Sequence, residues 1–257
     1  MENLSKTGRI FFGVAIAEMG LQAIYYHNVP YILPEHFSTT GTAILAFVFG
    51  LLFALAGASI LLEKWTRQIS LLFGVVLVSL FCFYYIPYEL LASANYMNFE
   101  DWENAEKELA FAGGALVIAG CFPAKNGTSF TRFLAKLIPV GAILFAIPII
   151  SFGILHFMVA KDAATMVPAW IPAHLFWIYF AGVALIGSGI SIIFKIKAGL
   201  FACLLGLMIF LWFILLHIPR VIAAAPADID GEITSAFLAL AYSGIAFVIA
   251  GKSKKIT

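Results

Sequence analysis

Long apolar runs alternate with short polar stretches along the whole chain. A membrane-spanning helix needs roughly 20 mostly apolar residues, and eight segments approach or reach that length: 9–26, 41–62, 69–91, 109–123, 133–160, 174–194, 199–219 and 233–251. The fourth is short and can extend into the polar stretch before it. The fifth is long and holds Pro139 and Pro148, which predicts a kink or tilt. The pattern therefore predicts an all-α polytopic membrane protein with eight transmembrane helices.

Loop charge sets the expected orientation. One face carries Lys6, Arg9, Lys64, Arg67, Lys125, Arg132, Lys136, Lys195, Lys197, Lys252, Lys254 and Lys255; the other carries only Lys107, Lys161 and Arg220. The acidic residues Glu100, Asp101, Glu103, Glu106, Glu108, Asp228, Asp230 and Glu232 fall on that second face. Both termini are expected in the cytoplasm, with the chain in a membrane of the bacterial inner-membrane kind. Lys6 and Arg9 before an apolar run imitate a signal peptide, but Glu18 interrupts the run and no cleavage site follows, so a retained first helix is expected.

Composition agrees with this reading. Of 257 residues, 63% are hydrophobic and 11% charged, less than half the charge of an average soluble domain, about 25%. A net charge of +1 supplies no basic field for nucleic acid. Cys82, Cys121 and Cys203 are scattered, with neither CxxC nor metal-ligand spacing.

The two halves of the chain resemble each other. Val29-Pro30-Tyr31-Ile32-Leu33-Pro34-Glu35-His36 matches Val167-Pro168-Ala169-Trp170-Ile171-Pro172-Ala173-His174. Phe81, Ile86 and Pro87 match Phe213, Ile218 and Pro219; Gly74 matches Gly206; Val117-Ile118-Ala119-Gly120 matches Val248-Ile249-Ala250-Gly251. These matches predict two tandem four-helix repeats, 1–123 and 124–257, in one membrane domain. Each has an even number of helices, so the repeats are expected to be parallel. The turns carrying Pro30, Pro34, His36 and Pro168, Pro172, His174 have an expected structural role, with the two histidines capping the helices that follow.

Polar residues inside apolar segments are the functional candidates, because an intramembrane ionisable group usually faces a cavity or a partner. Glu18 lies nine residues after Arg9, roughly 13 Å along a helix. Gln22 follows one turn later on the same face. The third segment ends with Tyr84, Tyr85, Pro87, Tyr88 and Glu89, the seventh with His217, Pro219 and Arg220. Tyr85 aligns with His217 and Tyr88 with Arg220, and Glu89 and Arg220 are candidates to pair. An interfacial aromatic belt accounts equally well for Tyr84 and Tyr88. Glu18, Gln22, Tyr85, Glu89, His156, His217 and Arg220 are together expected to line an outward-facing pocket for a quinone or a lipid head group. No HxxH or HxxxH spacing, Gly-rich loop or nucleophile elbow is present, so no metal site is expected.

The second half also carries Gly153-Ile154-Leu155-His156-Phe157, then Met166-Val167-Pro168-Ala169-Trp170-Ile171-Pro172, then Tyr179-Phe180-Ala181-Gly182-Val183. This series, over about 138–251, resembles the DoxX-like family of four-helix membrane proteins. The resemblance implies a duplicated DoxX-like unit. The family's name comes from a thiosulfate:quinone oxidoreductase subunit. Some relatives are linked to redox-stress complexes, while others act as membrane assembly or cargo factors. Leu185 stands where the family often has Glu, and Arg220 where it often has Asn. The leading expectation is thus binding of a small hydrophobic or amphiphilic ligand, a quinone or lipid, within a membrane redox complex. The alternatives are a non-enzymatic assembly factor, docking a protein partner through an acidic loop at Glu100–Glu108, and a small secondary transporter.

Overall fold

The structure, a computed structural model, describes residues 2–27, 39–91, 93, 97, 99–124 and 128–253. Pro30, Pro34 and His36 lie outside them. Among the described residues the only regular elements are helices: α1 (Glu2–Tyr26), α2 (Thr39–Leu61), α3 (Thr66–Leu91), α4 (Phe99–Ala119), α5 (Ser129–Met158), α6 (Ala160–Thr165), α7 (His174–Phe194), α8 (Ala198–Ala223) and α9 (Ile229–Ser253). Six of these, α2 from Gly41 together with α3, α5, α7, α8 and α9, are long and apolar enough to cross a membrane. They make the chain an integral membrane protein whose surroundings are a lipid bilayer. α1 and α4 are long enough as well, but Arg9 and Glu18 interrupt one, and the other opens with a run of acidic residues.

Proline shapes three of the helices. A proline ring clashes with the carbonyl four residues back, which for Pro87 belongs to Phe83 and for Pro219 to Leu215. In both places the preceding turn widens into a π-helix, at Phe81–Tyr85 in α3 and Phe213–His217 in α8. The amide of Ile86 donates to the Phe81 carbonyl, and that of Ile218 to the Phe213 carbonyl. Pro139 sits instead in a 3-10 segment, Ala135–Val140, within α5.

The turns into α3 and α8 are built alike. Glu63 and Trp65 adopt left-handed backbone angles before α3, as do Lys195 and Lys197 before α8. The Ser59 hydroxyl donates to the Lys64 carbonyl (2.7 Å), and the Ser191 hydroxyl donates to the Ile196 carbonyl. The offset between counterparts is the same for all four pairs: Glu63 and Lys195, Trp65 and Lys197, Ser59 and Ser191, Lys64 and Ile196.

The chain packs as two compact units. One is Phe12–Phe145; the other joins Met1–Phe11 to Ala146–Thr257. Their boundaries fall inside α1 and α5, so each of those helices contributes to both. In the first unit a ring cluster, Phe12, Phe53, Phe73 and Phe111, fills the core. α4 approaches α5 so closely that a Cβ on Gly113 would lie 2.5 Å from the Gly141 carbonyl oxygen. In the second unit a Cβ on Gly8 of α1 would run into the Gly244 carbonyl of α9. Small residues at such crossings allow the backbone-to-backbone packing on which membrane helices depend.

The segment between α5 and α7 is anchored by its apolar residues. Val167 and Ile171 are buried with Ala160, Ala164 and Ile178. The Trp177 indole N–H donates to the Pro172 carbonyl (3.1 Å). The turn carrying Pro168 and Pro172 is therefore held by packing and by Trp177. His174 does not cap α7: the N-cap residue is Ala173, which has a left-handed backbone and offers no side-chain bond.

Candidate functional site

The sequence-selected residues divide between the units. Glu18, Gln22, Tyr85 and Glu89 belong to Phe12–Phe145; His156, His217 and Arg220 belong to the other.

In the second unit the structure brings His217 and Arg220 together and adds Glu232. Arg220 donates side-on to Glu232, with Nε to Oε2 at 2.8 Å and the second nitrogen to Oε1. This two-point geometry is the strongest arginine–carboxylate arrangement. Glu232 sits in the first turn of α9, where the helix dipole favours a negative charge. His217 lies within electrostatic reach of both charges. Its Nδ1 is buried and has no hydrogen-bond partner. It is also the last residue of the π turn, a distortion that frequently marks functional positions.

His156 is oriented by its own helix. Its Nδ1 stands 2.8 Å from the Phe152 carbonyl oxygen, and its ring meets the Phe152 ring edge-on at 5.0 Å. A carbonyl only accepts, so Nδ1 carries the proton. This back-bond to the preceding turn satisfies a polar ring in an apolar helix.

In the first unit Tyr85 closes the π turn of α3 and is 4% exposed; Glu89 is 3% exposed. Tyr84 meets Tyr85 edge-on at 5.9 Å and stacks with Tyr88 at 6.3 Å. Glu18 is half-buried, and its Oε2 is buried without a hydrogen-bond partner.

The acidic stretch expected as a loop is helical from Phe99 onward. Glu108 is 1% exposed, and neither of its carboxylate oxygens has a hydrogen-bond partner. At this residue the stretch is packed helix and not the exposed loop expected. The sequence held a signal for it. Glu108 shares a helical face with Ala112, Ala115 and Ala119, all fully buried. Its acidic neighbours disguised a carboxylate that faces the packing side. Glu232 carried no comparable signal as the partner of Arg220.

Among the described residues no three His, Cys, Asp or Glu side chains come close enough to hold a metal ion. No family model, curated protein or solved structure matches the chain.

Proposed function

We propose that this integral membrane protein binds a small amphiphilic ligand, a quinone or a lipid, by its polar head at His217, Arg220 and Glu232. One observation carries the reading: the buried, unpartnered Nδ1 of His217 beside a two-point ion pair. A buried ring nitrogen without a partner costs roughly 1–3 kcal/mol. A ligand carbonyl or hydroxyl at that atom removes the cost, and the ion pair fixes the polarity around it.

The architecture we infer is a DoxX-like protein of eight spans in two tandem parallel units, 1–123 and 124–257, with both termini cytoplasmic. The recurrence of the π turn, the left-handed turn residues and the serine–carbonyl bond supports the duplication. The asymmetry of basic residues supports the orientation. In that orientation His217, Arg220 and Glu232 lie toward the outer face.

The test is extraction of the purified protein followed by mass spectrometry. A quinone or a specific lipid is expected at near-stoichiometric amount, with a several-fold loss in His217→Ala. An extract holding only bulk lipid, or the same ligand content in His217→Ala, refutes the reading.

A further inference from the structure

Glu108 stands apart from the other acidic residues. Its neighbours along α4, Ala105, Leu109, Ala110 and Phe111, are all buried, so the side chain has no route to water by snorkelling. Lys107 is adjacent in sequence, but its ammonium donates to Asn104 (2.9 Å). A carboxylate left ionised and unpaired in such surroundings costs several kcal/mol. It must either hold a proton or take a cation from outside the chain.

The scaffold does not need an acid there. Glu108 lies five residues before Gly113, where α4 meets Gly141 of α5. Ala239 lies five residues before Gly244, where α9 meets Gly8 of α1, and it is buried at 8% exposure. The same place in a like helix crossing is filled by a methyl group.

Tyr84 supplies the second half of the site. It belongs to the π turn Phe81–Tyr85, which packs against α4, and its ring stacks with Tyr88. It is only half-buried, so this aromatic pair is open to the surroundings of the unit on the side where α3 meets α4. A buried carboxyl on a helix packed against aromatic rings suits an ion that is poorly hydrated and binds through one charge and its apolar body. It does not suit a metal ion, for which the described residues offer no ligand set.

We propose that Glu108 and Tyr84 form a binding site for a membrane-soluble organic cation, a hydrophobic amine or quaternary onium ion. Glu108 supplies the counter-charge and the tyrosines the aromatic wall. The site uses none of the residues of the His217 group, so either assignment can fail alone.

Radiolabelled tetraphenylphosphonium, measured at equilibrium on the full chain in nanodiscs, tests it. Saturable one-site binding is expected, weakened about tenfold or more in Glu108→Gln, where shape is kept and charge is lost. Glu108→Asp should retain saturable binding. Tyr84→Phe should bind as the unaltered protein does, and Tyr84→Leu about threefold or more weakly. Absence of saturable binding to the unaltered protein overturns the proposal, as does equal affinity in Glu108→Gln. If Glu108→Gln does not fold, Tyr84→Leu decides: unchanged affinity overturns the site.

Discussion

The helix pairs α3–α4 and α8–α9 are tied together at opposite ends. Where α3 begins, the Arg67 guanidinium donates to the carbonyls of Ala119 (3.0 Å) and Phe122 (2.7 Å), satisfying acceptors that the end of α4 leaves open. Where α8 ends, Arg220 grips Glu232 in the first turn of α9. Between the ends, the Ser243 hydroxyl of α9 donates to the Gly206 carbonyl of α8 (2.8 Å). α4 instead sets Ala112 and Leu116 against Gly74. The α8–α9 pair thus gains a hydroxyl–carbonyl bond midway along its crossing, whereas in the α3–α4 pair neither oxygen of the buried Glu108 carboxyl has a hydrogen-bond partner. Close packing of small residues already holds such a crossing, so a polar group added to it need not serve the packing.

Transferring the carboxyl gives the largest effect. Ala239→Glu places an acid at a buried apolar position and should destabilise by roughly 3 kcal/mol or more. The thermal midpoint of the detergent-solubilised protein should fall sharply. If that midpoint holds, the two crossings do not share the environment inferred for them. Next comes the clamp on α9. Arg220→Met leaves Glu232 without its partner, and since the pair is 32% and 18% exposed, the loss should be about 1–2 kcal/mol. The double variant Arg220→Met with Glu232→Leu should regain most of it; a double variant no better than the single would show that the pair is not a unit. The reverse replacement, Glu108→Leu, should stabilise by about 1 kcal/mol and raise the midpoint. A lower midpoint would show that the carboxyl contributes to folding after all.

The helices were legible because apolar runs of spanning length admit few alternatives. α4 was the exception. Its acidic first turns dilute the apolar signal, and the helix begins at Phe99, well before the segment at 109–123. Pro87 and Pro219 stood near the ends of two expected spans as repeat counterparts, and nothing in the residues said that a π turn would precede each ring. Tyr85 and His217 emerged as counterparts because the Ile-Pro that follows fixes their register. The partner of Arg220 was hidden, since it depends on how the chain returns after α8. Glu108 was hidden differently: charge counting assigned it to a polar stretch, while helical phase placed it on the buried alanine face.

The smallest difference between the pairs is the most local. Ser243 is fully buried, and its hydroxyl reaches the Gly206 carbonyl 37 residues away in sequence. At this crossing a Cβ on Gly206 would lie 2.7 Å from the Phe247 ring, so the helices are held close whether or not the hydroxyl is present. Hydrogen bonds between membrane helices average only about 0.6 kcal/mol, because the separated helices also find partners for their polar groups. Ser243→Ala should therefore cost no more than that in stability, read as a small fall of the midpoint, and it should leave the Arg220–Glu232 clamp intact, so the two losses add. A loss several times larger would mean that the hydroxyl, and not the close approach of α8 and α9, sets the geometry at this crossing. Ala112, which carries no hydroxyl, stands in the like place against Gly74, and that part of the α3–α4 crossing would then be the looser of the two.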